Sequence, residues 1–318
     1  MQEDRMENVR LSIVVPVYCE ESVISEFYTR LKKVLDDLGN NAAYDIIFVD
    51  DGSTDRSPEL LRSLSKQDKS VTIISFSRNF GHQIAITAGI DHAKGDAVVV
   101  IDADLQDPPE LIPEMLKKWR DGYKVVYAVR NKRKGDPLLK KVFAKAFYRI
   151  LNMISDIEIP IDTGDYRLMD RVVVEMLKEM REENRYVRGL SAWVGFPQTG
   201  IYFDRDPRYA GEVKYTLAKS MKVALSGITS FSEKPLNFSS YAGFIITAFS
   251  FVYAVYLLIS KTIRPDLVIQ GWTTTIIVIL FFGGVQLISI GIIGQYIAKI
   301  YREVKRRPLY VIKEKIGE

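Results

Sequence analysis

Short apolar runs, spaced by stretches of helical periodicity, pattern the first half of the chain. Leu11-Ser-Ile-Val-Val-Pro-Val17, Tyr44-Asp-Ile-Ile-Phe-Val49, Val71-Thr-Ile-Ile-Ser75, Ala97-Val-Val-Val-Ile101 and Lys124-Val-Val-Tyr-Ala128 are too short for helices and almost continuously apolar. That is the pattern of strands buried on both faces. Residues 21–38 and 58–66 carry apolar positions at helical spacing between them. The alternation predicts an α/β fold with a mostly parallel sheet covered by helices, and ligands at the carboxyl ends of its strands.

The pattern changes after Pro235. Residues 241–259 and 267–298 contain no charged side chain, and a spanning helix needs roughly 20 apolar residues. The link between the two runs is too short for a domain, so they predict a transmembrane hairpin, at about 236–260 and 269–298. Lys299, Arg302, Lys305, Arg306, Arg307, Lys313 and Lys315 follow it. This bias puts the C-terminus in the cytoplasm, and a hairpin then puts the N-terminal domain there too. The expected organisation is a catalytic domain at 1–212, an amphipathic segment at 213–234, the hairpin at 235–300 and a basic tail at 301–318. Residues 138–154 carry an apolar stripe (Val142, Phe143, Ala146, Phe147, Ile150, Ile154) flanked by lysines, and residues 214–231 align Leu217, Met221, Leu225 and Ile228 beside Lys214, Lys219 and Lys222. Such helices suit a lipid interface; packing on the chain's own domain is the other reading, the weaker one for the second segment, which leads into the hairpin. The polar residues 1–10 contain no apolar core of a signal peptide.

Charge and cysteine content add little. The formal net charge is +4, from 44 Lys+Arg against 40 Asp+Glu, too mild to point to nucleic acid. The single cysteine, Cys19, excludes an intramolecular disulfide and fits a reducing compartment.

The chemistry concentrates where strands end in acid. The second strand runs into Asp50-Asp51-Gly52-Ser53-Thr54-Asp55 and the fourth into Asp102-Ala-Asp104-Leu-Gln106-Asp107. Side chains alternate in extended chain, so Asp102 and Asp104 share a side. Paired carboxylates repel unless a cation lies between them, and hard oxygen donors suit Mg²⁺ or Mn²⁺. At the mouth of a nucleotide site, such an ion neutralises a departing diphosphate. An isolated Asp-x-Asp also serves simply as a turn or cap. Arg78 and Asn79 follow the third strand and Arg130 ends the fifth, and a guanidinium fork matches diphosphate oxygens; ordinary surface arginines are the alternative. His82 and His92 lack a third partner for a metal set and read as structural or helix-surface residues.

Taken together, Ile13-Val-Val-Pro16-Val-Tyr18-Cys-Glu20-Glu21, Val49-Asp-Asp-Gly-Ser-Thr-Asp55, Arg78-Asn-Phe-Gly81 and Asp102-Ala-Asp-Leu-Gln-Asp-Pro-Pro109 resemble glycosyltransferase family 2. Asp162-Thr-Gly-Asp-Tyr-Arg167, Arg208-Tyr-Ala-Gly-Glu-Val-Lys-Tyr215 and the hairpin narrow the resemblance to polyisoprenyl-phosphate glycosyltransferases, the group of GtrB-like glucosyltransferases and dolichol-phosphate mannose synthases. The resemblance spans nearly the whole chain. It implies a GT-A fold, inversion at the anomeric carbon and a divalent metal. It places Pro16, Tyr18, Glu20, Asp50, Asp51 and Arg78 around the nucleotide. Asp102, Asp104 and Gln106 would hold the metal and donor diphosphate, and Arg130 would stand near the donor. Asp165 would face the sugar and acceptor, unless it only caps a helix. Arg208 and Lys214 would bind the acceptor phosphate. The family often has Asn where this chain has Cys19.

The acceptor oxygen of a lipid phosphate is anionic at neutral pH, so catalysis rests on alignment and electrostatics. The resemblance favours UDP-glucose as donor and undecaprenyl phosphate as acceptor, with other nucleotide-sugars open. Two other readings remain. A processive polysaccharide synthase would carry a Gln-x-x-Arg-Trp motif and more spans, and Trp119, Trp193 and Trp272 stand in other contexts. A non-catalytic membrane scaffold has no need of clustered carboxylates. Gly283, Gly284, Gly291 and Gly294 would let spanning helices approach closely, which predicts a homo-oligomer.

Overall fold

The computed structural model of the chain describes residues 9–39, 42–131, 163–183, 185–204 and 272–317, with scattered helical residues between 241 and 263. Segments 138–154 and 214–231, Arg208 and Lys214, and most of the first expected span lie outside the described residues. The chain divides into two compact units. One holds the sheet with its helices and includes Arg307–Glu318; the other is mostly Ser220–Arg306.

All five expected strands form: β1 (Val9–Val17), β2 (Ala42–Asp50), β3 (Val71–Phe76), β4 (Ala97–Val100) and β5 (Val125–Arg130). The helices between them are α1 (Ile24–Asp37), α2 (Ser57–Gln67), α3 (His82–His92) and α4 (Ile112–Arg120). Leu11, Ile13, Val15 and Val17 of β1 join Phe27, Leu31 and Leu35 of α1 in one core. Val14 faces α3 instead. A Cβ on Gly89 would stand 2.1 Å from Val14 Cγ1, so glycine allows this helix to press onto the strand. With both faces of β1 packed, its apolar run needs no polar alternation.

The sheet is more mixed than the apolar runs predict. Its eight strands run β7-β5-β6-β4-β1-β2-β3-β8, with β6 at Thr163–Asp170, β7 at Gln198–Phe203 and β8 at Ile312–Ile316. The pairs β1–β2, β1–β4 and β2–β3 are parallel, as expected of a nucleotide-binding half. β6 is antiparallel to both β4 and β5, and β5 runs parallel to β7. Every residue of β6 is buried, although Asp165, Arg167 and Asp170 lie within it. At its end Asp170 caps α5 (Arg171–Glu179), accepting from Val172 N at 3.0 Å, and also takes Trp119 Nε1 and Lys124 Nζ, both at 2.8 Å. A short helix, α6 (Val187–Trp193), precedes β7.

In the second unit, α7 (Trp272–Lys305) runs 34 residues. Its stretch Phe281–Lys305 is long and apolar enough to cross a membrane, and none of its most apolar window is buried. The helix runs past the expected end at 298 and carries Arg302 and Lys305 in its last turn. The segment expected as a basic tail then returns to the sheet as β8, antiparallel to β3. Arg62 Nη2 reaches Glu314 Oε2 at 2.6 Å. Tyr310 stacks on Phe76 at 5.1 Å, and its hydroxyl donates to Asp91 Oδ2 at 2.9 Å.

Candidate active site

The parallel strands bring their carboxyl ends together, with Val17 opposite Asp50 and Val14 opposite Val100. Pro16 is buried within β1, and Tyr18 and Glu20 leave the strand toward solvent. The Glu20 N–H donates to Ser57 Oγ at 2.9 Å, tying this loop to α2. Asp50 is buried and accepts from Ser53 N at 2.9 Å, closing the Asp-Gly-Ser turn. Asp51 is also buried, and its carboxylate is taken up by backbone. Phe80 N donates to Oδ1 at 2.6 Å and Gly81 N to Oδ2 at 3.0 Å. Burial pushes this carboxyl upward while those two N–H groups oppose the shift. Asp51 therefore holds the loop that carries Arg78, whose exposed guanidinium lies 4.1 Å from the Phe80 ring. Gly52, at φ +69°, is required where the two loops cross: a Cβ there would meet Arg78 C at 2.5 Å.

After β4, Asp102 and Asp104 are half-buried while Ala103 and Leu105 between and beyond them are buried. This is the alternation expected of two carboxylates on one side. Leu105 then adopts φ 59°, and the Gln106 N–H donates to Asp104 Oδ1 at 3.1 Å. Asp102 Oδ1 is buried and receives no hydrogen bond; His82 Nε2 stands 3.5 Å from it. Burial first, with the neighbouring charges of Asp165 and Asp104 added, pushes the Asp102 carboxyl upward against the opposing His82. Among the described residues no three His, Cys, Asp or Glu side chains assemble a metal cage.

Asp165 lies inside β6 rather than capping a helix, 5 % exposed. Arg188 donates to it twice, Nε to Oδ1 at 2.8 Å and Nη2 to Oδ2 at 3.0 Å. Gln83 Nε2 adds a bond to Oδ2 at 3.0 Å, and His82 Nε2 stands 3.2 Å from the same oxygen. Burial alone would raise this carboxyl, but the bonds from His82 and Arg188 prevail and hold it well below the usual carboxylate range. Burial would likewise lower the His82 imidazole. The Asp102 charge and the Asp165 bond outweigh that and raise it to about 9. Arg130 passes over Gly164, where a Cβ would lie 2.8 Å from Nη2, and reaches Asp107 Oδ1 at 3.6 Å.

The structure thus brings Asp102, Asp104, Asp165 and Arg130 to one end of the sheet. His82, which the sequence reads as a structural or helix-surface residue, is exposed and stands among them; its place directly after Arg78-Asn-Phe-Gly81, at the first turn of α3, is the signal that marks it. Gln83 and Arg188 were not foreseen, and nothing in the sequence around Arg188 marks it. His92 behaves as expected, bonding Ala88 O within its own helix.

Residues 12–177 match the family model described as Glycosyl transferase family 2. The chain belongs to glycosyltransferase family 2. Three relatives extend the match over almost the full length. The "Uncharacterized glycosyltransferase YkcC" of Bacillus subtilis is 54% identical, covering 98% of this chain and 95% of that protein. The "SfII prophage-derived bactoprenol glucosyl transferase" of Shigella flexneri is 42% identical, covering 96% and 98%. The "Prophage bactoprenol glucosyl transferase homolog" of Escherichia coli is 40% identical, covering 96% and 99%. This family-2 enzyme carries the mixed α/β sheet of the GT-A fold, and the acidic cluster lies where such sheets bind ligands.

Proposed function

We propose that this enzyme transfers a hexose, glucose from UDP-glucose, to the phosphate of a membrane polyprenyl phosphate, undecaprenyl phosphate, with inversion at the anomeric carbon. The observation that carries the reading is the grouping of Asp102 and Asp104 with Asp165 at the carboxyl end of the sheet. The printed names of the bactoprenol glucosyl transferases support the acceptor and the sugar.

The site suits a divalent cation. Mg²⁺ is commonly held by one or two carboxylates plus substrate phosphates rather than by a full protein cage. Two half-buried carboxylates, one with a buried oxygen that receives no hydrogen bond, match that description. Asp102, Asp104 and Gln106 would hold Mg²⁺ or Mn²⁺, which when bound neutralises charge on the leaving diphosphate. Pro16, Tyr18, Glu20 and Asp50 frame the nucleotide, and Asp51 acts through the loop it holds, which presents Arg78. Arg130 faces the donor, and Arg208 with Lys214 binds the acceptor phosphate. An acceptor phosphate oxygen attacks the anomeric carbon, the bond from that carbon to the nucleoside diphosphate breaks, and nucleoside diphosphate departs. The attacking oxygen is already anionic, so no proton need be removed. Asp165 contributes negative charge beside the sugar.

Strand pairing supports the hairpin and its orientation. Residues up to 204 and from 312 both belong to one sheet. If α7 crosses a bilayer, the chain must cross a second time between them, which is the role expected of residues 236–260. Arg302, Lys305, Arg306 and Arg307 at that exit favour the cytoplasmic side. Among the described residues nothing stands within 4 Å of a Cβ at Gly283, Gly284, Gly291 or Gly294, which suits close approach of a second copy, and cross-linking in native membranes to a dimer or larger species tests it.

The test is transfer in detergent from labelled UDP-glucose to undecaprenyl phosphate with Mg²⁺ or Mn²⁺. Labelled lipid is expected with metal and none with chelator. Label that appears only with a different nucleotide-sugar overturns the donor. A folded, metal-binding protein that labels no lipid with any donor overturns the reading.

A further inference from the structure

We propose that Arg188 is a positioning residue for sugar transfer, fixing the place and the rotation of the Asp165 carboxylate. The inference rests on the function proposed above and deepens it. Arg188 sits on α6, far in sequence from the acidic loops, yet grips β6 at two points. Its Nε and Nη2 take the two oxygens of Asp165, and its Nη1 donates to the Thr163 carbonyl at 2.8 Å. Three of its donors are thus committed to one strand, which sets both the height and the rotation of the carboxylate. A guanidinium makes such a planar two-point grip and an ammonium does not.

Gln83 completes the arrangement. Its Oε1 accepts from Val187 N at 3.0 Å, the residue before Arg188. That bond fixes the amide orientation, so Nε2 is the atom turned to Asp165 Oδ2. The carboxylate thus meets three donor atoms from Arg188 and Gln83, and His82 Nε2 stands 3.2 Å from Oδ2. Most of this contact falls on Oδ2, while Oδ1 takes only Arg188 Nε, so the grip fixes where the carboxylate stands and how it is turned. What the carboxylate supplies is a fixed negative charge and a fixed partner for His82, which stands between it and Asp102. Helix α3 and helix α6 both hold this carboxylate, so its placement depends on both.

The experiment uses the full-length enzyme in detergent and compares Arg188→Ala, Arg188→Lys and Gln83→Met with wild type. Arg188→Ala is expected to lower kcat about 100-fold, the scale of an ångström-level misplacement, with the donor KM changed less than about 3-fold. Added guanidinium at millimolar concentration restores part of that rate and leaves wild type unchanged. Arg188→Lys stays defective, because one point charge cannot hold both oxygens, and Gln83→Met loses about 10-fold in kcat alone. Arg188→Ala with wild-type kcat overturns the proposal. So does a lowered kcat that guanidinium does not restore. If Arg188→Ala fails to fold, Arg188→Lys decides: wild-type turnover overturns the inference and a kcat defect at unchanged KM upholds it. A wild-type enzyme that labels no lipid overturns both this inference and the reading it rests on.

Discussion

Cys19 and Leu105 hold left-handed backbone at φ 54° and 59°, each beside a loop assigned to substrate. A residue with a Cβ gives up roughly 1–2 kcal/mol in that region, and Asn tolerates it better than most. That geometry favours Asn over Cys at position 19. Cys19→Asn should raise the unfolding temperature in detergent by a degree or two, equivalent to about 0.5 kcal/mol, and leave transfer intact; a lowered unfolding temperature would show that the Cys19 Sγ contact with Thr54 Oγ1 matters more. At the acidic loop, Asp102→Asn or Asp104→Ala should cut transfer at least about 100-fold with the fold retained. Isothermal titration should show weakened metal binding in the presence of nucleotide. The pair was legible because alternation in extended chain is a rigid rule. His82, Gln83 and Arg188 were not, because the contacts that give them meaning join positions 82, 83 and 188 to position 165, and only the fold brings these together.

At the scale of elements, the same contrast separates β1–β4 from β6. The former are buried on both faces by apolar side chains, so apolar runs announce them. β6 is equally buried, but with polar residues whose partners lie largely elsewhere: Arg167 bonds Ser191 Oγ, Asp165 bonds Arg188, and Asp170 bonds Trp119 and Lys124. Its sequence therefore reads as a polar motif rather than a strand. β8 was hidden in a similar way, since an edge strand with lysines and Glu314 resembles a charged tail. Asp170 offers a direct check on this element. Burial would raise its carboxyl, but the bonds from Lys124, Val172 and Trp119 lower it below its ordinary value of 3.8. A group whose pKa is depressed on folding stabilises above its unfolded value, and that contribution is lost as pH falls through the folded one. Stability should thus decline as pH drops below about 4, and Asp170→Asn should flatten that decline and cost about 2 kcal/mol at pH 7, since it removes a charged partner and weakens the α5 cap. Denaturant titrations at pH 3.5 and 7 measure both quantities; an Asp170→Asn enzyme with unchanged slope between them would contradict the assignment.

Across the sheet unit, β8 and the residues before it pack toward the loop that holds Phe80 and Asp51. Val311 O accepts from Ser77 N at 3.0 Å, Tyr310 stacks on Phe76, and Phe76 meets Phe80 edge-on at 5.6 Å. Phe80 N is one of the two groups that hold Asp51. Ending the chain after Arg306 should therefore weaken nucleotide-sugar binding about 10-fold or more while α7 stays in the membrane fraction; unchanged binding by calorimetry would show that the loop stands without this support. The long apolar helix α7 was readable in advance, because an apolar run of that length stands out by composition alone.

In the proposed reaction one phosphate oxygen of a lipid displaces a nucleoside diphosphate from the anomeric carbon. Nuclear magnetic resonance of the purified lipid product reads this directly. The account predicts a sugar joined through a single phosphate, with anomeric configuration opposite to that of the donor. A retained configuration, or a sugar joined through a diphosphate, would contradict it.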